Sequence, residues 1–380
     1  MSAVVSSAAF RKLRLRHFRN FAELELAFPP AGVAVIGDNG AGKTNLLEAL
    51  YYLEIFRSFR GAPDEQLVRF GEEVFHVRGV LDGVGPTREV EAAFERRTRR
   101  KRVAVNGAEP ERLGDALGGA GAVIFSPSDM MLVAGAPGDR RRFLDIVLSL
   151  NRPGYLGALQ RYRQILKNRN AMLRSGGSDA LLAAWDEGLA DWGGRVVAAR
   201  AEWVAEAAPG FARRYAAIAG GQAVRLAYAS SVPLGGDVPP SPAAAADAFR
   251  VELTRLAPRE RDRGMTLVGP HRDDLAVLLQ RSGGEADLRD FGSGGQQRTA
   301  AIALRMVEAE TVRSARGREP VVLLDDVFAE LDPGRSRRIL ELLEDEERGQ
   351  VILTAPKESD LELRHGSLAH WRIEGGVVFA

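Results

Sequence analysis

The sequence lacks cysteine altogether and has only five histidines among its 380 residues. Without thiols, disulfide bonds, thiol catalysis and cysteine-ligated zinc are excluded, and five scattered histidines do not supply a histidine metal cluster. An apolar run long enough to cross a bilayer is also missing. Residues 1–10 lack the basic start and long apolar run of a secretory signal. We therefore expect a soluble, cytoplasmic protein with no membrane partner.

An excess of one charge is missing too, because the formal net charge is +1. The overall charge thus gives no sign of nucleic-acid binding, but cations cluster locally. One run comprises Arg96, Arg97, Arg99, Arg100, Lys101 and Arg102, and a second comprises Arg140, Arg141 and Arg142. Such a run is either a solvated face or a surface for nucleic-acid phosphates, whose affinity would fall steeply with salt.

The hydrophobic content of 45% and charged content of 27% are typical of a globular protein. Alternating apolar residues predict strands in the first segment, at positions 13–18, 24–28, 74–81 and 90–94. Val33 to Ile36 forms a short apolar run, and an amphipathic helix follows from Leu46. The pair Asn106-Gly107 predicts a tight hairpin turn, because both residues tolerate positive φ.

The middle of the chain changes to a heptad-like pattern, which predicts two antiparallel helices separated by a break at Ser175 to Ser178. The apolar positions are Tyr155, Leu159, Tyr162, Leu166 and Leu173, then Leu182, Trp185, Leu189, Trp192, Val196, Ala199 and Trp203. The pair is either the core of a helical subdomain or a projecting arm. Ser230 to Pro242 is rich in Pro, Gly and Ser, which predicts a surface loop, and the last hundred residues alternate strand and helix patterns.

A complete G-x-x-x-x-G-K-[ST] phosphate-binding loop follows the apolar run. Its residues are Gly37, Asp38, Asn39, Gly40, Ala41, Gly42, Lys43 and Thr44, and we include the next residue, Asn45, in the predicted ATP site. The glycines let backbone N–H groups face the phosphates, and the following helix adds its positive N-terminus. We expect Lys43 to reach the β and γ phosphates of ATP and Thr44 to bind Mg²⁺.

A second apolar run, Val321 to Leu324, predicts a buried parallel strand that ends in Asp325-Asp326. Two acids at a buried strand end are costly unless a cation or hydrogen bonds compensate them. We expect Asp325 to hold Mg²⁺ and Asp326 to polarise the attacking water; the alternative is a strand-end turn with exposed aspartates. Leu331-Asp332 resembles the D-loop of ABC ATPases, or is a simple turn before Pro333.

The stretch from Gly292 to Arg298 resembles the LSGGQ signature of ABC ATPases and lacks only the leading leucine. In ABC-type heads this segment contacts the γ-phosphate held by the opposite subunit, so that ATP joins two protomers; the alternative is a flexible Gly-Ser linker. The residues that we assign to this contact are Ser293, Gly294, Gly295 and Gln296.

Several stretches in a particular order resemble the RecF family. They are His17 to Phe21, Ser58 to Arg60, Val123 to Pro127, Arg141 to Asp145, Gly269 to Asp274 and Leu324 to Phe328. The resemblance implies an α/β fold: an ABC/SMC-like P-loop ATPase head built from both chain ends, residues 1–125 and 262–380, with a mainly helical insert or short arm at residues 126–261.

The resemblance also implies function. A family member binds duplex DNA and gapped or single-strand junctions, forms a homodimer when ATP-bound, hydrolyses ATP slowly with stimulation by DNA, and assists RecA loading with RecO and RecR in repair, replication restart and the SOS response. The rivals are a nuclease with an ABC head, which needs a further acidic metal cluster, and the ATPase subunit of a membrane transporter, which needs a docking surface for its partners.

Some positions depart from the ABC pattern or stay ambiguous. Asp326 replaces the usual glutamate, Ala355 stands where the switch-loop histidine is expected, and no Q-loop glutamine is apparent, so we predict slow turnover. Arg19 and Arg60 either contact nucleotide or DNA, or pair with acids on the head. His271 is expected to be a structural hydrogen-bonding residue.

Overall fold

The structure, a computed structural model, describes residues 8–82, 87–236, 238–327, 334, 335, 337, 338, 341, 349–357 and 368–379. The chain divides into two compact units. Unit 1 comprises residues 1–129 and 308–380, and unit 2 comprises residues 130–307.

Unit 1 contains a mixed sheet whose centre is the strand that leads into the phosphate-binding loop. Its strands are β3 (Gly32–Ile36), β7 (Ala122–Phe125), β11 (Val321–Asp325), β12 (Val351–Ala355), β13 (Ala369–Glu374) and β14 (Val377–Phe379). The order is β14-β13-β3-β12-β11-β7, and all neighbours are parallel except β13 and β14. Strands β7, β11 and β12 are buried along their whole length, as the continuous apolar runs predict. Helix α1 (Lys43–Ile55) follows β3 directly.

A second, antiparallel sheet of unit 1 has one buried and one solvated face. It consists of β1 (Ala9–Phe18), β2 (Phe21–Ala27), β4 (Val74–Asp82), β5 (Arg88–Glu95) and β6 (Arg100–Val105), in the order β2-β1-β4-β5-β6. The alternation along β1 buries Leu13 and Leu15 and exposes Arg14 and Arg16. The tight turn at Asn106-Gly107 is confirmed, with φ values of 51° and 80°. A short helix, α2 (Leu113–Ala116), precedes β7.

Unit 2 is mainly helical. Its helices are α3 (Met131–Ala134), α4 (Pro137–Asn151), α5 (Tyr155–Arg174), α6 (Asp179–Ala219), α7 (Pro242–Arg263), α8 (Leu288–Phe291) and the first part of α9 (Gly294–Arg316). The break between α5 and α6 confirms the predicted pair. The two helices are antiparallel, because Arg169 pairs with Asp186 near the break and Arg200 contacts Tyr155 far from it. The apolar residues Leu182, Leu189 and Trp203 of the heptad pattern are buried.

A small antiparallel sheet completes unit 2 and explains where the unit ends. It contains β8 (Val224–Ala229), β9 (Asp274–Arg281) and β10 (Gly284–Asp287), in the order β10-β9-β8. The domain division that we predicted from sequence stays a prediction, and the compact units differ from it at the second boundary. Residues 262–307 belong to unit 2, because β9 pairs with β8 on the far side of α7 in the sequence.

Among the described residues, no helix combines the length and apolar character that a membrane crossing requires.

Candidate functional site

The phosphate-binding loop lies between β3 and α1. Lys43 is 6% exposed, and its Nζ donates to the carbonyl oxygens of Gly37 (2.5 Å) and Asp38 (3.1 Å). The N-cap residue of α1 is Gly42, which has no side chain to cap the helix, and the first turn contains no acid. The N–H groups of this turn and the Lys43 ammonium therefore form a site for a phosphate chain.

Asn20 stabilises this loop through two side-chain hydrogen bonds, a role that was not predicted from the sequence. Its Nδ2 donates to Ala41 O (3.1 Å), and its Oδ1 accepts a hydrogen bond from Asn45 Nδ2 (2.8 Å). Gly42 has a φ of 117°, and a Cβ there would lie 2.5 Å from Asn20 Nδ2. Only glycine fits this position, both for its backbone conformation and for the approach of Asn20.

Thr44 and Asp325 are brought together although 281 positions separate them. Thr44 Oγ1 donates to Asp325 Oδ1 at 2.9 Å, because α1 begins beside the carboxyl end of β11. Asp325 is 4% exposed, and its burial raises the pKa of the carboxyl, against donation from Thr44 and Thr354, which lowers it. A carboxylate that is both buried and ionised is stabilised by a cation beside it.

The same two oxygens fit Mg²⁺. Neighbouring ligands in an octahedral Mg²⁺ shell with bonds of ~2.0–2.1 Å lie about 2.9 Å apart, which matches the separation of Thr44 Oγ1 and Asp325 Oδ1. Magnesium usually takes one or two protein oxygens and completes its shell with phosphate and water. Thr44 and Asp325 can therefore hold Mg²⁺ against a bound nucleotide.

Asp326 and Thr354 complete the carboxyl end of this sheet. Asp326 has a left-handed backbone, with a φ of 48°, and its N–H donates to Thr354 Oγ1 at 3.2 Å. Thr354 Oγ1 also lies 3.1 Å from Asp325 Oδ1. Thr354 was not predicted from the sequence, and the parallel register that places it opposite Asp325 is the signal that could have identified it. The predicted D-loop, Leu331-Asp332, lies outside the described residues.

Two of the family-like stretches meet at α1. Arg19 makes a two-pronged salt bridge through Nε (2.8 Å) and Nη2 (2.9 Å) to Glu48, which is fully buried. Ser58 donates to the same carboxylate at 2.5 Å. Of the alternatives for Arg19, the structure shows the pairing with an acid. Arg60 is exposed, with Nη1 3.5 Å from Asn45 Oδ1.

The signature residues belong to unit 2, where they start helix α9. Ser293 Oγ accepts from Gln296 N (3.3 Å), and Gln296 Oε1 accepts from Ser293 N (2.8 Å), which is a reciprocal capping box. Ser293 and Gly294 are exposed, and Gly295 is partly exposed. The stretch is thus an ordered helix start and not a flexible linker, and its exposed N–H groups suit an anion.

Two further family-like stretches, Arg141 to Asp145 and Gly269 to Asp274, take part in a polar network inside unit 2. Arg141 Nη1 donates to Asp273 O at 2.8 Å, and the buried Arg200 donates to Asp145 Oδ1 (2.7 Å) and to Pro270 O (2.7 Å). The ring of His271 is hydrogen-bonded through Nδ1 to Tyr162 Oη (2.6 Å) and through Nε2 to Thr266 O (3.1 Å). This geometry confirms the structural role predicted for His271.

Two family models match parts of the chain. One is an AAA domain described as a putative AbiEii toxin of a type IV toxin–antitoxin system, over residues 229–355, and the other is an AAA domain over residues 12–120.

Full-length relatives are more informative. The DNA replication and repair protein RecF of Anaeromyxobacter sp. (strain Fw109-5) is 38% identical over 96% of this chain and 97% of its own. The RecF protein of Frankia alni (strain DSM 45986) is 40% identical to this chain, over 92% of this chain and 93% of its own length.

Solved structures agree with these relatives. The recombination mediator protein RecF with ATP, of the RecFOR pathway, has a TM-score of 0.90 and 30% identity over 100% of this chain and 99% of its own. The Smc head domain of Pyrococcus furiosus shares the fold. Its TM-score is 0.57 and its identity 14%, over 98% of this chain and 95% of its own. These likenesses confirm the predicted α/β fold with an ABC/SMC-like head, and the chain belongs to the RecF family of DNA replication and repair proteins.

Proposed function

We propose that this protein is an ATP-dependent DNA-binding protein of recombinational repair and replication restart. The observation that carries the proposal is the 2.9 Å contact between Thr44 and Asp325 beside a complete phosphate-binding loop, which suits MgATP. The RecF relatives, named as DNA replication and repair proteins, and a structural neighbour named with ATP support it.

In the proposed site Lys43 and backbone N–H groups of the phosphate-binding loop and of the first turn of α1 hold the β and γ phosphates. Bound Mg²⁺, held by Thr44 and Asp325, would neutralise charge on the phosphates. Asp326 orients a water whose oxygen attacks the γ phosphorus, the bond from that phosphorus to the β–γ bridging oxygen breaks, and ADP and phosphate leave. The proton of the water passes to the solvent or to the phosphate through Asp326.

The second half of the proposal is a homodimer that forms when ATP is bound. The exposed start of α9, with Ser293, Gly294, Gly295 and Gln296, contacts the γ-phosphate held by the partner protomer. Hydrolysis removes that contact and separates the protomers. ATP then acts as a timed switch, and the shorter acid Asp326 and the alanine at position 355 make turnover slow.

The dimer would close on DNA at single-strand gaps and junctions. Basic side chains supply contacts to the phosphate backbone that are independent of sequence, and DNA in turn stimulates hydrolysis. With RecO and RecR as partners, the protein would assist RecA loading in the bacterial cytoplasm during the SOS response to DNA damage.

One experiment tests these points together: oligomeric state by sedimentation and DNA affinity by gel shift, each with ATP, ADP or no nucleotide, on gapped and blunt duplexes. We expect a dimer and tight DNA binding with ATP alone. Lys43→Ala should lose nucleotide binding, dimer and ATP-dependent DNA affinity, whereas Lys12→Ala, at an exposed lysine of β1, should behave as the native protein.

Three outcomes would contradict the proposal. Absence of DNA affinity in every nucleotide state would remove the repair function, and Mg²⁺-dependent strand cleavage would favour the nuclease. Asp326→Asn should prolong the ATP-bound dimer, so unchanged hydrolysis in this variant would assign the water to another group.

A further inference from the structure

Phe70 is the most exposed of the large apolar side chains in the described chain, with 99% of its surface accessible. It lies in the turn closed by the hydrogen bond from Glu72 N to Arg69 O (3.0 Å). The turn is anchored on both sides: Arg69 N donates to His17 O (2.8 Å), and Arg96 N donates to Glu73 O (2.8 Å). A ring held in this way protrudes from fixed backbone, so little conformational freedom remains to be lost when it binds.

Cations lie at the same end of the antiparallel sheet as this turn. The antiparallel sheet ends here, because β1 ends, β4 begins and the turn between β5 and β6 follows at residues 96–99. Three arginines of the basic run are exposed and have no ion-pair partner among the described residues. They are Arg97, Arg100 and Arg102. The other three cations of the run are already engaged: Arg99 pairs with Glu65 and Lys101 with Asp64, and Arg96 Nη2 donates to the carbonyl oxygens of Glu65 and Val68.

The register across the sheet places two more basic side chains on the face of Arg102: Arg16, which is paired with Glu23, and the uncharged His76. Arg16 on β1 lies opposite His76 on β4, which lies opposite Ala93, and Ala93 lies opposite Arg102. Partial burial and then the nearby Arg16 and His17 lower the pKa of His76, which agrees with a locally positive field. Glu72 is paired with His17, so Glu73 is the acid of the turn without an ion pair among the described residues.

We propose that Phe70 and the arginines 97, 100 and 102 form a binding site for a junction between single-stranded and duplex DNA. Phe70 stacks on the first unpaired base, and the arginines hold the phosphates on either side of it. The inference rests on the proposed DNA binding and assigns it a surface. A polyanion fits this surface because, among the described residues, the three guanidinium groups without an ion pair outnumber the two acids without one, Glu73 and Glu95.

The same geometry predicts a preference for junctions over plain duplex. In the interior of a duplex both faces of each base are covered by its neighbours, so a protruding ring gains nothing there. At a gap the terminal unpaired base offers a free face, and stacking on an aromatic ring contributes ~1–3 kcal/mol per base, which corresponds to roughly fivefold to somewhat more than 100-fold in affinity. The arginine contacts contribute equally on both kinds of DNA.

The test uses the full protein with ATP, a gapped duplex carrying 2-aminopurine as the first unpaired base, and a blunt duplex of equal length. Phe70→Ala should weaken binding to the gapped DNA roughly 5- to 100-fold and leave the blunt duplex within about twofold. Phe70→Tyr should keep both the affinity and the 2-aminopurine quenching, whereas Phe70→Leu, apolar but not aromatic, should lose them. Phe379→Ala, at another exposed phenylalanine, is the matched control.

A second pair of variants addresses the cations. Replacing Arg100 and Arg102 by glutamine should reduce the slope of log affinity against log salt by about 0.9 per lost duplex contact. Arg14→Gln removes an arginine of the same sheet that is already paired with Glu25, and it should change the slope little.

Several results would overturn the inference. Equal losses on both DNAs, or none on either, would remove the stacking role, and loss of the ATP-dependent dimer with DNA affinity intact would assign the surface to a second copy of the chain. The unfolding midpoints of the variants, measured beside that of the native protein, exclude misfolding as the cause of these losses when they are unchanged. If the native protein bound no DNA at all, the proposed function itself would fail, which is a different outcome from a native protein that binds DNA and is indifferent to Phe70.

Discussion

At the scale of single residues, Thr354 joins the two acids of the proposed ATP site through one hydroxyl group. Its Oγ1 accepts from Asp326 N and donates to Asp325 Oδ1. The first bond holds the left-handed backbone of Asp326, and the second orients the carboxylate beside Thr44. Thr354 is thus a positioning residue. It directly precedes Ala355, the position where the switch-loop histidine is expected.

Thr354→Val keeps the shape of the side chain but removes both hydrogen bonds. We expect the rate of ATP hydrolysis to fall by about 10- to 100-fold, since one to two hydrogen bonds that hold the acids are lost, while nucleotide affinity changes much less. Steady-state hydrolysis and a nucleotide titration measure the two effects. Thr354→Ser should restore the rate, and a valine variant with native turnover would show that the acids keep their geometry unaided.

His271 is a second residue whose environment has a measurable effect. Burial lowers its pKa from 6.5 to about 4, against the hydrogen bond to Thr266, which raises it, and Arg272 and Arg141 add to the lowering. The neutral ring therefore accepts from Tyr162 Oη at Nδ1 and donates from Nε2 to Thr266 O.

This low pKa predicts a pH dependence of stability. Between pH 6.5 and about 4 the unfolded chain binds a proton at position 271 that the folded protein does not. Stability is therefore present above pH 6.5 and is lost as the pH falls, by at most about 3 kcal/mol. Urea unfolding of the native protein and of His271→Gln, from pH 7.5 to 4, isolates the contribution of His271 to the pH dependence of stability. The variant should show the flatter curve, and parallel curves would refute the assignment.

At the scale of elements, the start of α9 is the feature on which the proposed dimer depends. Ser293 caps the helix, and Ser241 caps α7 in the same way by accepting from Ala244 N at 3.2 Å. The two serine hydroxyls therefore cap their helices alike, but only Ser293 also has the bond from its N–H to Gln296 Oε1 and the proposed contact with the γ-phosphate of the partner.

Replacing either serine by arginine should cost about 1 kcal/mol of stability through the lost cap. Ser293→Arg alone should also abolish the ATP-dependent dimer, because the long side chain occupies the place of the partner's phosphate, and it should leave ATP binding intact. Sedimentation and a nucleotide titration provide the comparison. A Ser293→Arg protein that still dimerises with ATP would exclude the contact in trans.

The elements also show what sequence patterns can and cannot predict. Period-two alternation located β1 and β4, and the heptad pattern located α5 and α6, because each signal is contained within one element. The pairing of β8 with β9 was not predicted, since α7 separates them in the sequence. The same reason explains the site: the phosphate loop is a local motif, whereas the contact of Asn20 with Ala41 and the place of Thr354 arise only from folding.

At the scale of the whole molecule, Gln350 ties the early and late parts of unit 1 together. Its side chain is fully buried, accepts from Phe10 N (2.7 Å), and donates to Phe10 O and Pro29 O (both 2.9 Å). These bonds join β1 and the approach to β3 with the start of β12.

Gln350→Leu should destabilise the protein by about 3–5 kcal/mol, because three buried backbone groups lose their partner. Gln160→Leu, at an exposed glutamine of α5, should change stability by less than about 0.5 kcal/mol. Thermal or urea unfolding measures both. A small effect at Gln350 would mean that water or a shift of the backbone satisfies these groups.

The place of β3 in its sheet has a consequence for synthesis on the ribosome. Its two neighbours, β12 and β13, are translated roughly 300 residues later, which at ~5–20 residues per second takes about 15–60 s. Until then Gly37 N–H has no Ala355 carbonyl to meet, and Asp325 and Thr354 do not yet exist beside Thr44. The proposed ATP site of a nascent polypeptide is therefore incomplete until translation has passed Ala355, where β12 ends.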